Sequence, residues 1–116
     1  MSPGRSATRA RAGGVAPVFA ALGDETRLRL VARLCAEGPL PIARLADGAP
    51  VTRQAVTKHL HALTRAGLVR SRRPPRQRQR VWELRPQRLQ EARGYLDAIA
   101  GQWDAALARL AAFVES

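Results

Sequence analysis

Cysteine, lysine and aromatic residues are scarce in this chain. Cys35 is the one cysteine, so no internal disulfide can form, and a lone thiol fits a reducing cytoplasm. Lys58 is the one lysine among 20 Lys/Arg. Aromatics make up only 4% of the 116 residues, which leaves a modest core of the kind that oligomerisation often completes. No stretch approaches about 18 unbroken apolar residues, so nothing in the sequence spans a membrane. The opening "MSPGRSATRARAGG" is basic with no apolar run behind it, which argues against a secretory signal and predicts a disordered basic arm over residues 1–14. Clustered acid/base or nucleophilic groups are also missing. One cysteine, two histidines and scattered acids supply no catalytic constellation, so the chain does not read as an enzyme.

The most informative absence is of negative charge: between Asp47 and Glu83 there is no acid, while nine Lys/Arg lie in that interval. Net charge is +3 over residues 1–52, +10 over 53–88 and −2 over 89–116. A genome biased toward arginine would scatter the cations along the whole chain, yet the last quarter is acidic. Ordinary surfaces intersperse the two signs. A one-signed block is the electrostatic footprint expected for a phosphate backbone.

What is present is a run of short, punctuated helices. The apolar fraction of 46% fits a folded domain. "APVFAALG" reads as a short helix using Phe19 and Leu22. Asp24 is placed to cap "ETRLRLVARLCAEG", with Leu28, Val31, Leu34 and Cys35 on its inner face and Gly38 as its stop. Pro41 suits the first turn of a short helix over Ile42–Asp47. Gly48 and Pro50 make a turn, and Thr52 caps a helix over Arg53–Ala66. On a wheel of about 100° per residue, Val56, Leu60 and Leu63 form its apolar centre. Arg53, Gln54, Thr57, Lys58, His61, Thr64 and Arg65 fill the opposite arc. Two helices joined by a tight turn, the second with a cationic face able to hydrogen-bond base edges, follow helix-turn-helix logic. Arginine suits guanine and glutamine suits adenine in the major groove.

"LVRSRRPPRQRQRVWEL" then predicts two strands, Leu68–Arg73 and Arg78–Leu84, around Pro74-Pro75, with Trp82 and Leu84 covering the core. Arg70, Arg72, Arg73, Arg76, Arg78 and Arg80 crowd this hairpin and its tip, and the last five are expected to touch DNA phosphates or the minor groove. From about Pro86 a long helix follows. Ala92, Leu96, Ile99, Trp103, Ala106, Leu110 and Phe113 recur at spacings of four and three, the seam expected when one helix packs along another. A second stripe of small residues, from Gly94 through Gly101 to Ala112, has the same spacing; alanine's helix propensity accounts for it as well as a second interface would.

"FAALGDETRLRLVARL", "TRQAVTKHLHALTRAGLV" and "RVWEL" together resemble the ArsR/SmtB family of bacterial winged-helix repressors, over about Phe19 to Leu84. The resemblance implies a mainly α fold with a small β-hairpin, a winged helix-turn-helix in the order α-α-α-α-β-β-α with a long C-terminal dimerisation helix. The expected division is a DNA-binding domain over 15–85 and a dimerisation helix over 86–116. It further implies a homodimer joined through its first and last helices (Phe19, Leu96, Ile99, Trp103, Leu110 and Phe113 here) on a palindromic double-stranded DNA operator, with repression relieved by a signal that the residues do not name. By matching position, the base-reading roles fall on Arg53, Gln54, Thr57, Lys58 and His61, and His59 takes an inward, structural role. Two departures stand out. The family's thiol metal box falls on "PLPIARLAD", where Pro41 and Ala43 occupy the cysteine positions and cannot ligate. No metal and no cofactor is therefore expected. The wing lacks a glycine at its tip, and Pro74-Pro75 predicts strands held apart. A winged helix that binds protein or RNA without operator specificity is the alternative that the basic face leaves open.

Overall fold

The computed structural model describes residues 14–115; the expected basic arm, residue 14 apart, lies outside them. Helix α1 (residues 14–22) buries Val18 completely, while Phe19 is half-buried and its ring meets Tyr95 at a centroid distance of 6.1 Å. The Asp24 side chain accepts from the Arg27 N–H at 3.0 Å, capping α2 (Glu25–Glu37), and Gly38, at φ 80°, ends it. The inner face of α2 differs from expectation. Leu30 and Leu34 are the buried pair, whereas Leu28 is 50% exposed and Cys35 is exposed. "RLRLVARLC" carries two overlapping apolar stripes at helical spacing, and the one in register with Arg27 and Leu30 is the one that packs.

Strand β1 (Leu40–Pro41) is an element the sequence did not signal, and Pro41 stands just before α3 (Ile42–Ala46) rather than in its first turn. After a turn over residues 47–52 comes α4 (Arg53–Arg65), then β2 (Val69–Arg72), β3 (Val81–Leu84) and α5 (Pro86–Glu115). The sheet is antiparallel in the order β1-β3-β2, so the expected hairpin gains a third, edge strand. Proline is tolerated there because an edge residue need not donate to the ladder. The register pairs Val69 with Leu84, Arg70 with Glu83, Ser71 with Trp82 and Arg72 with Val81. Continuing it would set Pro74 and Pro75 against residues 79 and 78. Neither proline has an N–H to give, which is why both strands are shorter than the alternation suggested. Leu68 is also lost to β2, because its N–H closes the end of α4.

The core gathers beneath α4. Val56, Leu60 and Leu63 are wholly buried against Val18, Leu30, Leu34, Leu45 and Leu68, with Trp82 and Leu84 packed on as partly buried cover. The 30-residue α5, about 45 Å long at 1.5 Å per residue, joins this core only near its root, through Leu89 and Ala92.

Candidate nucleic-acid interface

Helices α3 and α4 and the turn between them form the helix-turn-helix. Gly48 takes φ 74° in the turn, a conformation costly for other residues. Thr52 accepts from the Ala55 N–H at 3.1 Å and so starts α4. The far end closes as a Schellman motif. Gly67, at φ 78°, donates to the Thr64 carbonyl at 2.9 Å, and Leu68 donates to the Leu63 carbonyl at 3.0 Å. Leu63 and Leu68 are both fully buried, the apolar contact that accompanies this motif. With both ends capped and one face buried, α4 is held rigidly.

Its other face carries the expected cations and amide. Arg53, Gln54, Lys58 and His61 are exposed. Thr57 is half-buried, and its hydroxyl donates to the Arg53 carbonyl at 3.0 Å, which leaves it an acceptor. The His61 ring lies 5.8 Å from that of Trp82 in β3, so this side chain rests at the root of the wing. His59 turns inward as expected, with Nδ1 3.2 Å from Arg27 Nη1 and 3.8 Å from Asp24 Oδ1. A cleft of about 260 Å³ brings Arg53 and Thr57 of α4 together with Gln79, Arg80 and Trp82 of the wing, over a floor that includes Pro41 and Ile42. Helix and wing therefore share one surface.

In the wing, Gln77 donates to the Pro74 carbonyl at 3.2 Å, and Arg76 has φ 65°. Proline second and a positive φ third are the features of a type II turn, with arginine where glycine is favoured. Arg73, Arg76 and Arg78 are exposed and make no ion pair among the described residues, while Arg80 donates to Ser71 Oγ at 3.1 Å. Arg72 departs from the expected free cation. Its Nε lies 2.9 Å from Glu83 Oε2, and Arg70 holds the other carboxylate oxygen at 2.7 Å. The hydrogen bonds from Arg72 and Arg70 keep the Glu83 carboxyl below the usual glutamate range. The single acid of the basic block is thus spent within the strand ladder, opposite Arg70 and away from the wing tip.

Three arginines that sequence reasoning assigned no role turn out to close helix ends. Arg27 donates to the Ala20 and Ala21 carbonyls at the end of α1. Arg33 donates to the Arg44 carbonyl at 2.7 Å, at the end of α3, and is braced by Glu37 at 2.9 Å. Arg88 donates to the Ala66 carbonyl just past α4 at 3.4 Å. Each supplies a cationic donor where carbonyls lack intrahelical partners. For Arg27 the signal was its place on the Leu30–Leu34 stripe. The other two act between elements, and nothing local marks them.

The large residues of the α5 seam lie outside this surface. Leu96, Ile99, Trp103, Leu110 and Phe113 are between 40% and 79% exposed. Pro41 and Ala43 line the cleft and bring no thiol, and among the described residues no three His, Cys, Asp or Glu side chains gather into a metal-binding group. Among the same residues no helix is long and apolar enough to cross a membrane.

Comparison with known proteins places this geometry. The sequence profile of a helix-turn-helix domain matches residues 22–72. The HTH-type transcriptional regulator Rv2034 of Mycobacterium tuberculosis (strain ATCC 25618 / H37Rv) is 42% identical over 96 residues, covering 83% of this chain and 84% of that protein. Among solved structures, an ArsR-like transcriptional regulator from Rhodococcus sp. RHA1 superposes with a TM-score of 0.71 at 36% identity, covering 84% of this chain and 90% of that one. Another, described as a possible transcriptional regulator for arsenical resistance, gives a TM-score of 0.61 at 37% identity over 79% of this chain and 90% of its own. The capped recognition helix, the basic wing and these relatives agree: the chain belongs to the ArsR family of winged helix-turn-helix transcriptional regulators and binds DNA in that role.

Proposed function

We propose that the protein represses transcription in the cytoplasm, on the nucleoid, as a homodimer bound to a palindromic operator and without the help of a metal ion. Arg53, Gln54, Thr57, Lys58 and His61 read base edges in the major groove, and Arg73, Arg76, Arg78 and Arg80 hold phosphates. Arg72, tied to Glu83, contributes less. The observation that carries the dimer is the exposed seam of α5, where Trp103 is 64% exposed at heptad spacing with Leu96, Ile99 and Leu110. A stripe of this kind in water marks an interaction surface. A second copy presents the same self-complementary stripe, and two-fold symmetry of the protein implies a palindrome in the DNA. Metal independence rests on the donor set: Pro41 and Ala43 cannot ligate, and His59 is engaged by Arg27 and Asp24.

Footprinting on the DNA upstream of the reading frame should reveal an inverted repeat, and zinc, cadmium or arsenite should leave the complex intact. Trp103→Ala should weaken dimerisation by about 2–5 kcal/mol and operator binding with it, the cost of a cavity in a packed seam. Sedimentation that shows an unaltered monomer–dimer equilibrium would remove α5 from the interface. Equal affinity for any duplex, or for RNA, would turn the reading toward a general binding module.

A further inference from the structure

The Arg88 side chain joins three elements at the root of α5. Its Nη2 donates to the Gly14 carbonyl at the start of α1 at 2.6 Å, its Nε to the Ala66 carbonyl at the end of α4 at 3.4 Å, and its Nη1 to Glu91 of α5 at 2.6 Å. Its stem also fits closely against Gly67, where an added Cβ would stand 3.1 Å from Arg88 Cγ. The root of α5 is also held by Leu89 and Ala92 against the core and by Tyr95 against Phe19. Beyond Tyr95 the helix runs on with nearly every side chain exposed. A tilt of about 5° at the root would swing the far end of a helix about 45 Å long by about 4 Å, more than the ~3.4 Å rise of one base pair.

We propose that Arg88 is a positioning residue for operator recognition. Its bonds to the Ala66 and Gly14 carbonyls lock the angle between the recognition helix and α5, and so set the spacing between the two half-sites that a dimer reads. This rests on the dimer through α5 proposed above. The residue needs no DNA contact of its own for this, because its guanidinium is already taken by two carbonyls and a carboxylate. Arginine suits the place because its planar fork can serve three acceptors that diverge, which a lysine ammonium on a flexible stem cannot hold in one geometry.

The test uses the full chain and duplexes carrying either one half-site or two half-sites at spacings stepped by single base pairs. Arg88→Met keeps the stem against Gly67 and removes the donors; Arg88→Lys restores the charge, with all its donors on one nitrogen. Arg88→Met should remain folded and dimeric, and bind a single half-site within about twofold of the parent protein. On the natural two-site operator it should lose about tenfold, the scale of one or two hydrogen bonds to a charged group, with an unchanged salt slope. Its preference for one spacing should flatten, and Arg88→Lys should lie between. Equal losses on half-site and full operator, a reduced salt slope, or a spacing preference as sharp as the parent's would each overturn the role of Arg88. A parent protein that is monomeric on the operator overturns the dimer reading and this inference with it. A dimeric parent whose spacing preference survives Arg88→Met overturns this inference alone.

Discussion

The recognition helix and the wing face the same cleft, carry the same kind of charge, and are built in opposite ways. Helix α4 is capped at both ends and anchored by three wholly buried side chains. The wing between β2 and β3 is a loop over residues 73–80 with one turn and no buried side chain. Base edges demand donors and acceptors held to within fractions of an ångström, so they can be read only from a rigid element. Phosphates repeat along the duplex and tolerate movement, so loosely held arginines suffice for them. The same difference separates arginines within the chain. Arg27, Arg33 and Arg88 are tied to backbone carbonyls and shape the scaffold, whereas Arg73, Arg76 and Arg78 carry no ion pair among the described residues.

The largest break in this comparison should come from the anchor of the helix. Leu60→Ala removes a wholly buried side chain and should cost about 2–5 kcal/mol. For a domain of this size that lowers Tm by about 4–8 °C per kcal/mol, and thermal unfolding should show it, while replacing Arg73, Arg76 and Arg78 together with glutamine should leave Tm almost in place. Next comes the turn at the wing tip. Because Arg76 sits at φ 65°, Arg76→Gly should raise stability by about 0.5–1 kcal/mol in chemical denaturation and yet weaken DNA binding, separating strain from charge. The smallest effect concerns acid. Glu83 has its carboxyl pKa lowered by Arg72 and Arg70, so its contribution to stability is present above the ordinary value of 4.5 and lost as pH falls through the lower folded value. A pH series of unfolding should show Glu83→Gln losing part of that acid limb. The same variant frees two arginines and should tighten binding to random DNA at low salt.

How much of this was legible follows the same line. The helix-turn-helix could be read because its determinants are local: Thr52, Gly67 and the Val56–Leu60–Leu63 stripe each act within a few residues, and α4 begins at Arg53 as expected. The cap at Asp24 was readable for the same reason, whereas the inward place of His59 followed from the family resemblance. Strand β1 was not readable, because two residues, one of them a proline, carry no alternation and form a strand only by pairing with Trp82 and Val81, some forty residues on. The inner face of α2 is not fixed by the sequence pattern, because two stripes compete and only the neighbouring helices decide between Leu28 and Leu30. Arg72 looked free because its partner Glu83 becomes adjacent only in the ladder register. Charge could be counted from the sequence, but which arginines are already committed could not.

The division of labour between helix and wing is most directly tested by titrating operator and scrambled duplexes across a salt series with Gln54→Ala, Arg53→Ala, Arg76→Gln and Arg78→Gln. The helix variants should lose about 1–3 kcal/mol on the operator and little on the scrambled duplex. The wing variants should weaken both, each lowering the salt slope by about one unit. Wing variants that change base preference, together with helix variants that weaken both duplexes equally, would contradict the account and place the reading head in the wing.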